Sequence, residues 1–100
     1  MSIYITACVI RNFKHRGLRR LYEDDDRRGL YAEHVEKIRV VLARLDRASK
    51  PDDMALPGLR LHPLKGAPAG FWSVTIRANW RIVFRFEGRN VADVDSVDYH

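Results

Sequence analysis

Every even position from Trp72 to Phe86 is apolar: Trp72, Val74, Ile76, Ala78, Trp80, Ile82, Phe84 and Phe86. The odd positions between them are mostly polar or basic: Ser73, Thr75, Arg77, Asn79, Arg81 and Arg85. A period of two puts alternate side chains on opposite faces of a strand. The run is longer than one ordinary strand, so it predicts a hairpin turning near Ala78–Asn79. A two-residue turn would carry Arg77 to the core side, so the unbroken parity predicts a turn of three to five residues. One face of that hairpin then carries Arg77, Arg81 and Arg85 beside Asn79.

Upstream the period changes. Val35, Ile38, Leu42 and Leu45 recur on one stripe, widened by Val41, and predict a helix from Tyr31 to about Ala48. Glu33 and Lys37 have the spacing and order of a favourable helical ion pair. His34 lies off the stripe and reads as a surface residue. An earlier helix is predicted in "FKHRGLRRLY" from Leu18, Leu21 and Tyr22, although Gly17 weakens it by about 1 kcal/mol relative to alanine. "IYITACVI" at 3–10 reads as a short β-branched strand, "EDDD" at 23–26 as a solvated link, and "SKPDDMALPG" as a loop. In "RLHPLKG" at 60–66, Leu59, Leu61 and Leu64 look like core and the segment runs from strand to turn. "VADVDSV" is a last strand of weaker pattern, with its valines at every third residue. The class this order predicts is α+β, with two N-terminal helices packed on one face of an antiparallel β-sheet, in a single domain spanning 1–100.

Composition changes the picture in one respect. Hydrophobic residues make up 46% and charged residues 31% of the chain, an ordinary globular balance, but the formal charge is +5. Residues 1–50 hold 12 Lys/Arg against 7 Asp/Glu, whereas residues 51–100 hold 6 of each, so the whole excess belongs to the first half. Such a surface favours polyanions. Cys8 is the sole cysteine, which excludes an intramolecular disulfide and fits a reducing, cytoplasmic setting. "ITAC" lacks the basic start and apolar stretch of a lipoprotein signal. No apolar run approaches the roughly 20 residues that span a bilayer, so no membrane association is expected.

The residues able to do chemistry are His62 and Lys65, Arg77 and Arg81, and the terminal Asp98, Tyr99 and His100. Metal-free RNA cleavage needs a base for the 2′-OH, cations at the phosphorane oxygens, an acid for the leaving 5′-oxygen, and a group that holds the nucleotide. Histidine, lysine, arginine and tyrosine supply those functions. A divalent-metal nuclease built on Asp93, Asp95, Asp98, His62 and His100 is the competing chemistry; Asp93 and Asp95 would share a strand face, but no compact ligand loop accompanies them.

"NFKHRGLRRLY", "LHPLKG", "FWSVTIRANWRIVFRF" and the terminal "DYH" together resemble the HigB (plasmid maintenance system killer) branch of the RelE-like toxins, in family order from about residue 9 to His100. The resemblance implies the toxin of a type II toxin–antitoxin system, a ribosome-dependent and metal-independent endoribonuclease that cuts mRNA in the A site by 2′-OH attack, with no cofactor. It implies a microbial-RNase-like fold, a helix-turn-helix (HigA-like) antitoxin as partner, and operator DNA reached only through that antitoxin. Carried over to this chain, it makes His62, Lys65, Asp98, Tyr99 and His100 the catalytic cluster. Arg77 matches a phosphate-contacting position of the wider group, and Arg81 and Asn79 are the further expected RNA contacts. The alternative is a non-catalytic RNA- or antitoxin-binding homologue acting only in operon autoregulation. A spatial expectation follows: His62 and Lys65 share one basic concavity with Arg77, Asp98, Tyr99 and His100. Residues 1–8 precede the matched stretch, as an added edge strand or an upstream start.

Overall fold

A computed structural model describes residues 10–64 and 70–98. Its elements are α1 (Arg16–Asp24), α2 (Ala32–Leu45), a single 3₁₀ turn (Pro51–Met54), and strands β1 (His62–Pro63), β2 (Phe71–Arg77), β3 (Trp80–Glu87) and β4 (Asn90–Asp98). The strands form one antiparallel sheet in the order β1-β2-β3-β4. Both helices pack on one face of it, so the α+β architecture is as expected. Of the expected strand at 3–10 only Ile10 is described. It makes a parallel bridge to Val91, and Phe13 makes another to Val94.

Helix α1 starts where His15 Nδ1 accepts the backbone N–H of Leu18 at 3.2 Å. It runs two residues into the acidic stretch and stops where Asp25 turns left-handed, at φ 55°. There the N–H of Asp25 reaches the Leu21 carbonyl and that of Asp26 the Arg20 carbonyl, closing the last turn. The acidic run is therefore partly structural: Asp26 accepts from Arg28, and Asp25 pairs with Arg39 of α2. Gly17 has a tertiary reason as well. A Cβ there would stand 2.9 Å from His15 Cε1 and 3.2 Å from the Gly29 carbonyl oxygen, because α1 passes against the chain leading to α2.

The core lies between the helices and the sheet. Leu18 and Leu21 from α1, and Val35, Ile38, Val41, Leu42 and Leu45 from α2, meet Val74, Ile76, Ile82, Phe84, Val91 and Val94. Truncating a fully enclosed member such as Leu18, Leu45 or Phe84 would cost about 2–5 kcal/mol. Tyr22 ties the helices together at their far ends, its hydroxyl donating to Asp46 at 2.5 Å. Burial, then that bond, pushes the phenol up to about 12. The Glu33–Lys37 pair is replaced by tertiary contacts: Glu33 accepts from Arg77, and Lys37 Nζ donates to the Gly58 carbonyl at 3.3 Å.

The hairpin departs from the expected turn. Arg77 pairs directly with Trp80, leaving Ala78 and Asn79 as a two-residue turn, with Ala78 at φ 52°. The odd count that parity demands comes from a register shift between Thr75 and Arg77, a bulge that adds one residue to β2. A second shift lies opposite Phe84, where Val83 pairs with Asp95 but Arg85 pairs with Ala92. Asp93, at φ 54°, occupies this bulge. It resets the phase of β4, so Val91 and Val94, three apart, are both fully buried in the one core.

Candidate active site

Residues directly opposite one another across a sheet share a face, and the register therefore sorts the candidates. Trp72, Val74, Ile82 and Phe84 face the helices, so their neighbours face away. The open face carries three rows: Phe71–Arg85–Ala92, His62–Ser73–Val83–Asp95 and Thr75–Arg81–Val97. Ser73, Val83 and Ala92 form its floor and are buried. Arg81 and Arg85 rise on either side of that floor, both half-buried.

His62 stands at the edge of this face, exposed, on a two-residue strand. Pro63 follows it opposite Trp72; a residue without an N–H is tolerated on an edge strand. The Leu64 N–H donates to the Phe71 carbonyl at 2.9 Å, and the Leu59 carbonyl accepts from Thr75 at 2.7 Å, which pin the segment on both sides of His62. Short strand and flanking bonds together hold the imidazole on a fixed backbone. Lys65, three residues on, lies outside the described residues, as do Tyr99 and His100.

Two expected members of the concavity are set elsewhere by the register. Arg77 lies opposite Trp80, and its Nη1 donates to Glu33 of α2 at 3.1 Å. The bulge therefore turns Arg77 to the helix side, away from Arg81 and Arg85. Asp98 is likewise opposite Trp80, whose ring sits 5.5 Å from Tyr31 and 5.8 Å from His34. It occupies the C-terminal end of β4, on the opposite edge of the sheet from β1, exposed and on the helix-facing side. Asn79 is exposed at the tip of the turn. Of the described candidates, His62 and Arg81 share the open face.

Arg85, a member of the expected basic stripe, has its charge already engaged. Its Nε donates to Asp93 at 2.7 Å and its Nη2 to Glu87 at 3.0 Å. Asn12 clasps the same aspartate: its amide donates to Asp93 Oδ1 at 2.7 Å, and its oxygen accepts the Asp93 N–H at 3.1 Å. The Asn12 bond, followed by Arg85, holds the Asp93 carboxyl below the usual aspartate range. Asp93 is thus committed to Asn12 and Arg85 rather than arrayed with Asp95. Among the described residues no three His, Cys, Asp or Glu side chains gather tightly enough to hold a metal ion.

Sequence reasoning missed two features. His34 is buried, enclosed by the rings of Tyr31 and Trp80 at 5.3 and 5.8 Å, in a recess of about 360 Å³ that His15 and Ser96 also line. Lys14 reaches across the sheet edge to place its ammonium 5.9 Å from the centroid of the Phe71 ring, over the open face. No periodicity reports either contact, because each joins distant segments.

A family model described as a RelE-like toxin of the type II toxin–antitoxin system HigB matches residues 11–100. The chain belongs to the HigB-like toxin family. A curated relative, endoribonuclease HigB of Proteus vulgaris, is 39% identical over 92 residues, which is 92% of this chain and 100% of the relative. The solved structure of a YoeB dimer from Staphylococcus aureus superposes with a TM-score of 0.55 at 21% identity, covering 93% of this chain and 94% of that one. This second likeness concerns the fold, helices on one side of an antiparallel sheet. As a HigB-like toxin the chain has a protein antitoxin as its partner. No helix among the described residues is long and apolar enough to cross a membrane.

Proposed function

We propose that this HigB-like chain is an endoribonuclease that cuts mRNA in the ribosomal A site, and that the RNA lies on the open face of the sheet. The observation that carries this reading is identity of 39% across the entire length of a relative that is an endoribonuclease. His62 standing exposed on that face, with Arg81 in the neighbouring row, is compatible with it.

In the proposed reaction a histidine, His62 or His100, removes the proton of the 2′-OH. The 2′-oxygen forms a bond to phosphorus, the bond to the 5′-oxygen breaks, and a protonated group returns a proton to that oxygen. The products are a 2′,3′-cyclic phosphate and a free 5′-hydroxyl. Lys65 and Arg81 stabilise charge on the phosphorane, Tyr99 orients the nucleotide, and Asp98 orients a histidine or stabilises its charged form. Arg77 and Asn79, at the turn, contact flanking phosphate. Because the attacking group belongs to the RNA, the scheme needs no metal and no cofactor. A HigA-like helix-turn-helix antitoxin neutralises the toxin and carries it to operator DNA, all within the cytoplasm.

The test is mRNA cleavage in a purified translation system, set against the same RNA without ribosomes in the presence and absence of EDTA. Cleavage confined to ribosome-bound mRNA, lost in His62→Ala and His100→Ala, is the expected result. Ribosome-free cutting that EDTA abolishes would overturn the mechanism.

A further inference from the structure

Several arginines on this molecule are spent on neighbours. Arg27 and Arg39 pair with Glu36, Arg39 also with Asp25, Arg28 with Asp26, Arg77 with Glu33, and Arg85 with Asp93 and Glu87. One cleft gathers basic side chains most of which are not so engaged. It lies between the chain at 10–14 and helix α1, has a volume of about 380 Å³, and is lined by Arg11, Lys14, Arg16 and Arg19 with Glu23 as its one acid. Among the described residues Lys14, Arg16 and Arg19 make no ion pair, and Arg11 has only Glu87 at 3.6 Å, both side chains about half exposed. Four cations left beside one another repel, and a concave wall concentrates their potential. That arrangement is stable in contact with a polyanion.

Lys14 fixes which polyanion. Its side chain lines the cleft, yet its ammonium lies over Phe71 on the open face. The cleft and the open face are therefore one continuous basic surface, joined around the β4 edge at Lys14. We infer that this cleft is a second RNA subsite, holding the phosphodiester backbone of single-stranded RNA as it leaves the open face. The inference rests on the proposed use of that face for RNA, and names where the strand goes next. Lys14 bridges the two sites, Arg16 and Arg19 take phosphates deeper in the cleft, and Arg11 closes its outer rim.

Binding, measured apart from cleavage, tests it. The probe is a fluorescein-labelled single-stranded RNA with 2′-O-methyl groups throughout, which cannot be cut by 2′-OH attack. Its affinity for the full chain is followed by anisotropy over a salt series. Each lost phosphate contact reduces the slope of log K against log salt by about 0.7 for a single strand, so Lys14→Gln/Arg16→Gln/Arg19→Gln should lower it by about 2 and weaken binding at least ~10-fold. Arg44→Gln/Arg47→Gln/Lys50→Gln removes the same charge from the end of α2 and should change the slope far less. All six side chains are exposed, so both variants should keep the parent circular dichroism spectrum, and Arg19→Glu alone supplies a single-site check of the same sign. Equal effects of the two triple variants, or an unchanged slope in the cleft variant, would overturn the inference. So would a cleft variant that loses poly-glutamate but keeps RNA, which would make the cleft a docking site for an acidic protein segment. Because the probe is uncleavable, failure of the ribonuclease reading alone leaves the wild-type and variant slopes as distinct as before.

Discussion

Arg85 donates its Nε–H to Asp93 at 2.7 Å, and Asp93 makes that bond from a left-handed backbone, φ 54°, at the bulge of β4. One residue thus sets both the phase of the last strand and the direction of an arginine on the open face. Asp93→Asn keeps the left-handed preference and the contact with Asn12 but removes the charge, whereas Asp93→Val adds roughly 1–2 kcal/mol of backbone strain. The valine variant should melt well below the asparagine variant by circular dichroism, and similar midpoints would show that the bulge tolerates any side chain.

The same aspartate predicts an acid limb. Its folded-state value is depressed by Asn12 and Arg85, so the stability it contributes is complete above the ordinary aspartate value near 4 and is lost as pH falls through the lower folded value. Asp26, held at about 2 by Arg28, titrates in the same window and in the same sense. Urea midpoints between pH 5 and about 2 should fall less steeply in Asp93→Asn than in the parent, and parallel curves would remove Asp93 from the account.

Tyr22 predicts the opposite limb. Its phenol is raised to about 12 by burial and by the bond to Asp46. A raised value in the folded state means the contribution is whole below the unfolded value near 10 and disappears as pH climbs through 12. Phenolate absorbance should show one tyrosine titrating well above the rest, and that late step should be missing in Tyr22→Phe.

Gly17→Ala should destabilise, against helix propensity, which favours alanine by about 1 kcal/mol. The added methyl meets His15 Cε1 and the Gly29 carbonyl, and moving His15 gives up the cap on Leu18. A melting temperature lowered by roughly 5 °C is expected; a rise would mean that the two segments part without cost.

His62→Ala should separate activity from stability. The side chain is exposed and lies outside the core cluster of the described residues, so thermal unfolding should move by less than about 0.5 kcal/mol. Cleavage of ribosome-bound mRNA should fall about 10²–10⁴-fold, the range for loss of a general acid or base. A variant that still cuts at the parent rate would remove His62 from the proposed chemistry.

The sequence made the architecture legible because most elements bury one regular face. The stripe from Val35 to Leu45 and the alternation from Trp72 to Phe86 each report contact with the same core. What they concealed were places where two segments meet. The bulge in β2 looks like uninterrupted alternation, since the extra residue cancels the even turn, and it sends Arg77 to Glu33 rather than to the arginine face. The every-third valines of β4 recorded the other bulge, but spacing alone does not distinguish a bulge from a poor strand. His34 looked solvated because its enclosure comes from Trp80, 46 residues away by their numbers. The site was legible in "HPLKG" and "DYH" only as a family resemblance, and among the described residues His62 is the catalytic candidate that the register sets on the open face.

The chain at 10–14 covers part of the outer margin of β4. The N–H groups of Arg11 and Lys14 donate to the carbonyls of Val91 and Val94 at 2.7 and 2.8 Å, and the Val94 N–H donates to Asn12 at 3.2 Å. Were a protease to clip this segment away, the longest strand of the sheet would be left with unsatisfied peptide groups beside a hydrophobic core, the template on which sheets of separate molecules join. The nicked toxin would then be lost to insoluble fibrous aggregates, a route to inactivation independent of any antitoxin.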